Sequence, residues 1–110
     1  MTTPQEKYLS AVDKAFSFLE EKSGHDFRKV IKNDTGEFEP LRYFMDVGGR
    51  DYLSFIERYC NDFSDDDFLD ALDYNAFALG KSLETEDASI VIASLADCLK
   101  DIFEAVRKRR

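Results

Sequence analysis

Six aspartates fall within DFSDDDFLDALDY, residues 62–74, and no lysine or arginine stands among them. Carboxylates this dense suit three kinds of chemistry: chelating a cation, capping a helix, or attracting a basic partner. A calcium loop beginning at Asp62 would place Ser64, Asp66, Asp70 and Asp73 at its third, fifth, ninth and twelfth positions. Its sixth position must turn sharply and is normally glycine, but here it is Asp67. Its last position needs the longer reach of glutamate, and here it is Asp73. No metal site is expected. A helix start explains more. Ser64 as N-cap, with Asp65, Asp66 and Asp67 in the first turn, lets each acid contribute ~0.3–1 kcal/mol against the helix dipole. That leaves Asp70 and Asp73 unexplained. With Asp66 they stand at i, i+4, i+7 and so share one helix face, where like charges repel. Stability alone favours interspersed lysines, yet no base occurs between Arg58 and Lys81.

Other reactive residue types form no constellation. His25 is the single histidine and precedes Asp26, but no serine or cysteine is tied to it by a motif, and helix neighbours point apart. Gly48-Gly49-Arg50 lacks the spacing and the Lys-Ser/Thr of a phosphate loop. No Glu-x-x-His supports a carboxylate-bridged metal pair. Cys60 and Cys98 fit neither a CxxC redox motif nor a zinc site and read as buried free thiols. The expectation is a protein that is not an enzyme and carries no cofactor.

The elements that must position the aspartates are helices. Thr3-Pro4-Gln5-Glu6 opens the first with a cap, a proline at the first helical position and a glutamate at the third. Tyr8, Leu9, Val12, Ala15, Phe16 and Leu19 follow at helical spacing, and Gly24 stops the run. A short second helix carries Phe27, Val30 and Ile31, ended by Asn33-Asp34-Thr35-Gly36, and Pro40 opens a short third through Leu41, Phe44 and Met45. After Gly48-Gly49 a fourth buries Leu53, Ile56, Tyr59, Cys60 and Phe63. The fifth, from Ser64, has the apolar stripe Leu69, Leu72, Ala76, Leu79 and Leu83, weakened by Gly80. Thr85 caps the last, with Glu86 and Asp87 just inside, and Ala88, Val91, Leu95, Leu99, Ile102, Phe103 and Val106 keep its period. The expected fold is all-α: a compact single-domain bundle of five or six helices over residues 1–110, without strands or repeats.

Charge supplies the functional expectation. The chain carries a net −8. Residues 1–60 hold 11 acids and 9 bases, residues 61–97 hold 10 and 1, and residues 98–110 hold 2 and 5. An acidic chain is a poor ligand for nucleic acid or an anionic membrane. No run of about 18 apolar residues is present, and MTTPQEKYLS lacks the basic and apolar regions of a secretory signal, so a cytoplasmic location is expected. Segregated charge is what a steering surface needs. The expected partner is a basic protein, toxin- or nuclease-like, met by Asp62, Asp65, Asp66, Asp67, Asp70 and Asp73, with Tyr59 and Tyr74 as flanking aromatics. Immunity proteins and antitoxins that neutralise a cationic toxin share this size and charge logic. The alternative is a helical adaptor or secretion chaperone that binds through an apolar groove. The plainest competing reading is a solvated face partly neutralised by the basic tail folding back.

Overall fold

The computed structural model describes residues 2–24, 27, 44 and 48–110. Among them are four α-helices, not five or six: α1, Pro4–Ser23; α2, Gly49–Tyr59; α3, Asp66–Glu84; and α4, Ala88–Arg109. A short 3₁₀ turn, Cys60–Asp62, follows α2. The expected second and third helices lie outside the described residues except for Phe27 and Phe44, both helical and fully buried. Asn33-Asp34-Thr35-Gly36 and the His25-Asp26 pair also lie outside them. None of the described residues is in a strand.

α1 begins as its sequence dictates. Thr3 accepts from the Glu6 backbone N–H at 3.1 Å, and Pro4 takes the first turn. It ends at Gly24, whose φ of +78° is the left-handed cap that glycine adopts without Cβ strain. α2 starts after Gly48, again left-handed at φ +77°. It stops at Tyr59, so Phe63 lies beyond it in extended backbone. Asp65, not Ser64, is the N-cap of α3: its Oδ2 accepts from Phe68 N–H at 3.2 Å. A run Ser-Asp-Asp-Asp offers four adjacent cap formers, and the first buried side chain, Phe68, selects the one three residues before it. Thr85 does not cap α4. Its hydroxyl donates to the Ser82 carbonyl at 2.6 Å and so closes α3, and Asp87 caps α4 by accepting from Ser89 N–H at 2.9 Å.

α4 is the central element and packs on each of the other three helices. It buries eight residues, among them Val91, Leu95, Leu99, Ile102 and Val106. Each fully buried aliphatic side chain of this kind contributes roughly 1.5–3 kcal/mol. α1 adds Tyr8, Val12, Phe16 and Leu19 to the same core; α2 adds Leu53 and Ile56; α3 adds Phe68, Leu72 and Leu79. Phe16 and Phe44 meet edge to face at 5.9 Å. Of the stripe expected on α3, Leu69, Ala76 and Leu83 are only half-buried, because the true inner face runs through Phe68, Leu72, Asn75 and Leu79.

Polar contacts fix how the helices register. The buried Tyr8 hydroxyl donates to the Cys98 carbonyl at 2.9 Å and ties α1 to α4. Asn75, 4% exposed, donates to Ala71 O at 2.8 Å and to Asp101 Oδ2 at 2.7 Å, which ties α3 to α4. Gln5 donates to the Phe63 carbonyl at 2.8 Å and holds the approach to α3 against α1. No helix among the described residues is long and apolar enough to cross a membrane.

Candidate protein-binding face on the third helix

With Phe68, Leu72, Asn75 and Leu79 turned inward, helical geometry sends Asp66, Asp70, Asp73 and Phe77 to the opposite face of α3. The eight residues expected to meet a partner divide there into two sets. Asp62, Asp66, Asp67 and Asp70 are exposed, and their carboxylates form no hydrogen bond or ion pair among the described residues. Tyr74 is exposed beside them, at 70%. The others are already engaged within the chain.

Asp65 is held by Arg109. The guanidinium donates from Nε to Oδ1 at 2.9 Å and from its terminal nitrogen to Oδ2 at 2.8 Å, a bidentate pair. Its other terminal nitrogen donates to Ala105 O at 2.8 Å, and the group lies 5.1 Å from the Phe68 ring centre. The Arg109 hydrogen bonds, with the Phe68 N–H, hold the Asp65 carboxyl down at about 2. Asp65 raises the Arg109 pKa in turn, with a smaller contribution from the charge of Asp67. Tyr59 is half-buried, 4.8 Å from Phe55 and roofed by the Arg110 guanidinium at 3.9 Å. Arg109 and Arg110 of the basic tail are therefore held, and the one ion pair they form with the aspartates among the described residues is at Asp65, the cap of α3. Asp73 is also engaged. The Lys7 ammonium of α1 lies 3.5 Å from its Oδ1, an oxygen shielded from solvent and without a hydrogen bond.

Two features escape the charge pattern. Phe77 is 64% exposed, one turn beyond Asp73 on the same stripe. Its place could be read from its absence from the apolar period of α3. The second is an open groove of about 560 Å³ between α1 and α3. Ala11, Ala76, Phe77, Gly80 and Leu83 line it together with the charged Lys7, Lys14 and Asp73. Nothing in the periodicity of either helix alone reveals a groove that two helices make together.

The calcium arrangement does not assemble. Its oxygens are distributed over the 3₁₀ turn, an extended link and two turns of α3, and among the described residues no group of three or more His, Cys, Asp or Glu side chains is placed to hold a metal. Cys60 and Cys98 are buried free thiols, pushed up to about 11 and about 12 by burial. Comparison with known protein families, with curated proteins and with solved structures finds no match for the chain.

Proposed function

We propose that the protein is a small acidic binding module whose α3 face captures a basic protein, in the manner of an immunity protein or antitoxin that covers the cationic surface of a nuclease-like toxin. One observation carries this reading. Asp66, Asp67 and Asp70 stay exposed and unpaired although five bases lie in the last thirteen residues, and they share their face with exposed Tyr74 and Phe77. A purely solubilising surface does not need aromatic side chains among its acids, whereas tyrosine and phenylalanine anchor protein interfaces at little entropic cost. Acids around such an anchor steer a cationic partner and align it. Occlusion, with the aspartates taking the lysines and arginines that otherwise hold phosphate, is the mechanism. Neither an enzymatic role nor a cofactor enters it, and the location that suits it is the cytoplasm.

The α1/α3 groove favours a second reading, an adaptor or secretion chaperone held to its partner by apolar contact. Salt separates the two. The wild-type protein and the Asp66→Asn/Asp67→Asn/Asp70→Asn variant serve as paired baits in extracts of the source cell, eluted with a salt gradient. A basic protein retained by the wild type, lost from the variant and released by moderate salt supports the acidic face. A partner held equally by both baits and resistant to salt contradicts it and favours the groove alone.

A further inference from the structure

The exposed strip of α3 does not end at Phe77 but continues into the groove beside α1, and its two ends differ in charge. Asp66, Asp67 and Asp70 make one end negative. At the other, Lys14 is exposed and forms no ion pair among the described residues. Lys81 stands nearby, 5.4 Å over the Phe77 ring and 3.7 Å from Glu84. Taking α3 as the binding face, we infer that this strip seats an amphipathic α-helix of the partner. That helix is rich in lysine or arginine at one end and carries a bulky apolar side chain, flanked by no bases, that enters the groove over Gly80.

Space, shape and charge each point to that occupant. A Cβ built on Gly80 meets nothing within 4 Å, so the groove is open at that residue. Lys7, Ala11 and Lys14 line it from α1, and Asp73, Ala76 and Gly80 from α3, both series at helical spacing. The groove thus runs along the two helices, and the small residues Ala11, Ala76 and Gly80 in its lining leave room for a third helix to lie close. None of the described residues is in a strand, so no sheet edge is present among them to accept an extended peptide, and a groove running along two helices suits helix-in-groove docking. Lys14 repels a segment that is basic throughout, which gives the partner helix a polarity. At 1.5 Å per residue, Asp70 and Asp66 stand roughly 15 and 21 Å along α3 from Gly80. The bases and the apolar anchor of the partner are therefore separated by about 10–14 helical residues.

Two synthetic helical peptides of identical composition test this. One places its lysines and arginines at one end and a phenylalanine about 11 residues away; the other surrounds the phenylalanine with the bases. Calorimetric titration of the wild-type protein should show about tenfold tighter binding of the polarised peptide, a difference of about 1.4 kcal/mol. Gly80→Leu sends a bulky side chain toward the groove from a Cβ position that meets nothing within 4 Å, and it removes a weak helix former, so its circular dichroism should match the wild type while the preference disappears. Equal affinity for both peptides, no binding of the polarised one, or an unaltered preference in Gly80→Leu overturns the inference. The acidic-face reading fails separately, if the triple asparagine variant keeps the cellular partner. Loss of that partner from the triple variant, with Gly80→Leu unaffected, leaves the acidic face standing and removes the groove helix.

Discussion

Asp70→Lys should stabilise the fold while weakening partner binding. Asp70 has three acidic neighbours at helical spacing: Asp66 four residues back, Asp67 three back and Asp73 three on. It is exposed and forms no ion pair among the described residues. Each like-charge pair of this kind costs ~0.2–0.5 kcal/mol, and each opposite pair returns a similar amount. Reversing one charge therefore changes three pairs by up to roughly 1–3 kcal/mol in total. Two corrections reduce that figure. Asp73 is shared with Lys7, and exposed pairs are screened by water, which leaves about 1 kcal/mol. Asp70 is the fifth residue of α3, beyond the turn where the dipole rewards an acid, so little is lost there. At this chain length about 1 kcal/mol raises Tm by about 4 °C. Thermal melts followed by circular dichroism measure it, first in low salt and then near 1 M, where the Debye length shrinks to about 3 Å and the gain should largely vanish. Asp70→Asn should give about half the gain. A variant that melts lower than the wild type, or a gain indifferent to salt, shows that Asp70 already has a partner and refutes the picture of an unpaired acidic face.

The polar link between α3 and α4 predicts that Asn75→Ala costs about 2 kcal/mol, since a hydrogen bond to an ionised acceptor is worth ~1.5–3 and the exposed Asp101 recovers part from water. A double-mutant cycle with Asp101→Ala in urea should give a coupling of about 1 kcal/mol; additive effects contradict the link. The buried thiols predict a fall in stability in alkali. Unfolded thiols ionise near ~8.5 while the native ones hold their protons to about 11 and 12, so the unfolded state sheds protons first and stability declines as pH rises between those values. Urea midpoints that stay flat over that range count against it. Asp65 titrates in the opposite sense. Its native value of about 2 lies below the ~3.9 of the unfolded chain, so its contribution is complete above pH ~4 and fades as pH falls through about 2. The Arg109 side-chain N–H resonance should report the clamp through that window, and Asp65→Asn should abolish the transition.

Much of the helical frame was legible because caps and periodicity are local. Thr3, Pro4 and Gly24 bound α1 where they were expected to, and the period from Val91 to Val106 marks the buried face of α4. Local signals failed where neighbouring residues compete for one role. Asp65 displaces Ser64 and Asp87 displaces Thr85 as caps, because a packed side chain, not the cap itself, sets the phase of each helix. The stripe expected on α3 is turned by part of a residue spacing, because the inner face also takes Phe68, which the expected stripe leaves out, and Asn75, a polar residue that hydrophobic period does not mark and whose amide is bonded to Ala71 and Asp101. The shared face of Asp66, Asp70 and Asp73 followed from spacing alone. Which acids are free did not. Arg109 and Lys7 are 44 and 66 residues from Asp65 and Asp73, and only the tertiary fold brings them together.

The most direct test of the acidic face is the association rate of the captured partner as a function of ionic strength. It should be measured by stopped flow for the wild type and for Asp66→Asn/Asp67→Asn/Asp70→Asn. Electrostatic steering predicts a fast wild-type rate that drops steeply with salt, and a slower rate in the variant with a much shallower dependence. Identical rates and identical salt slopes for the two proteins would contradict the account and leave the aspartates of α3 as a helix start and a solvated surface.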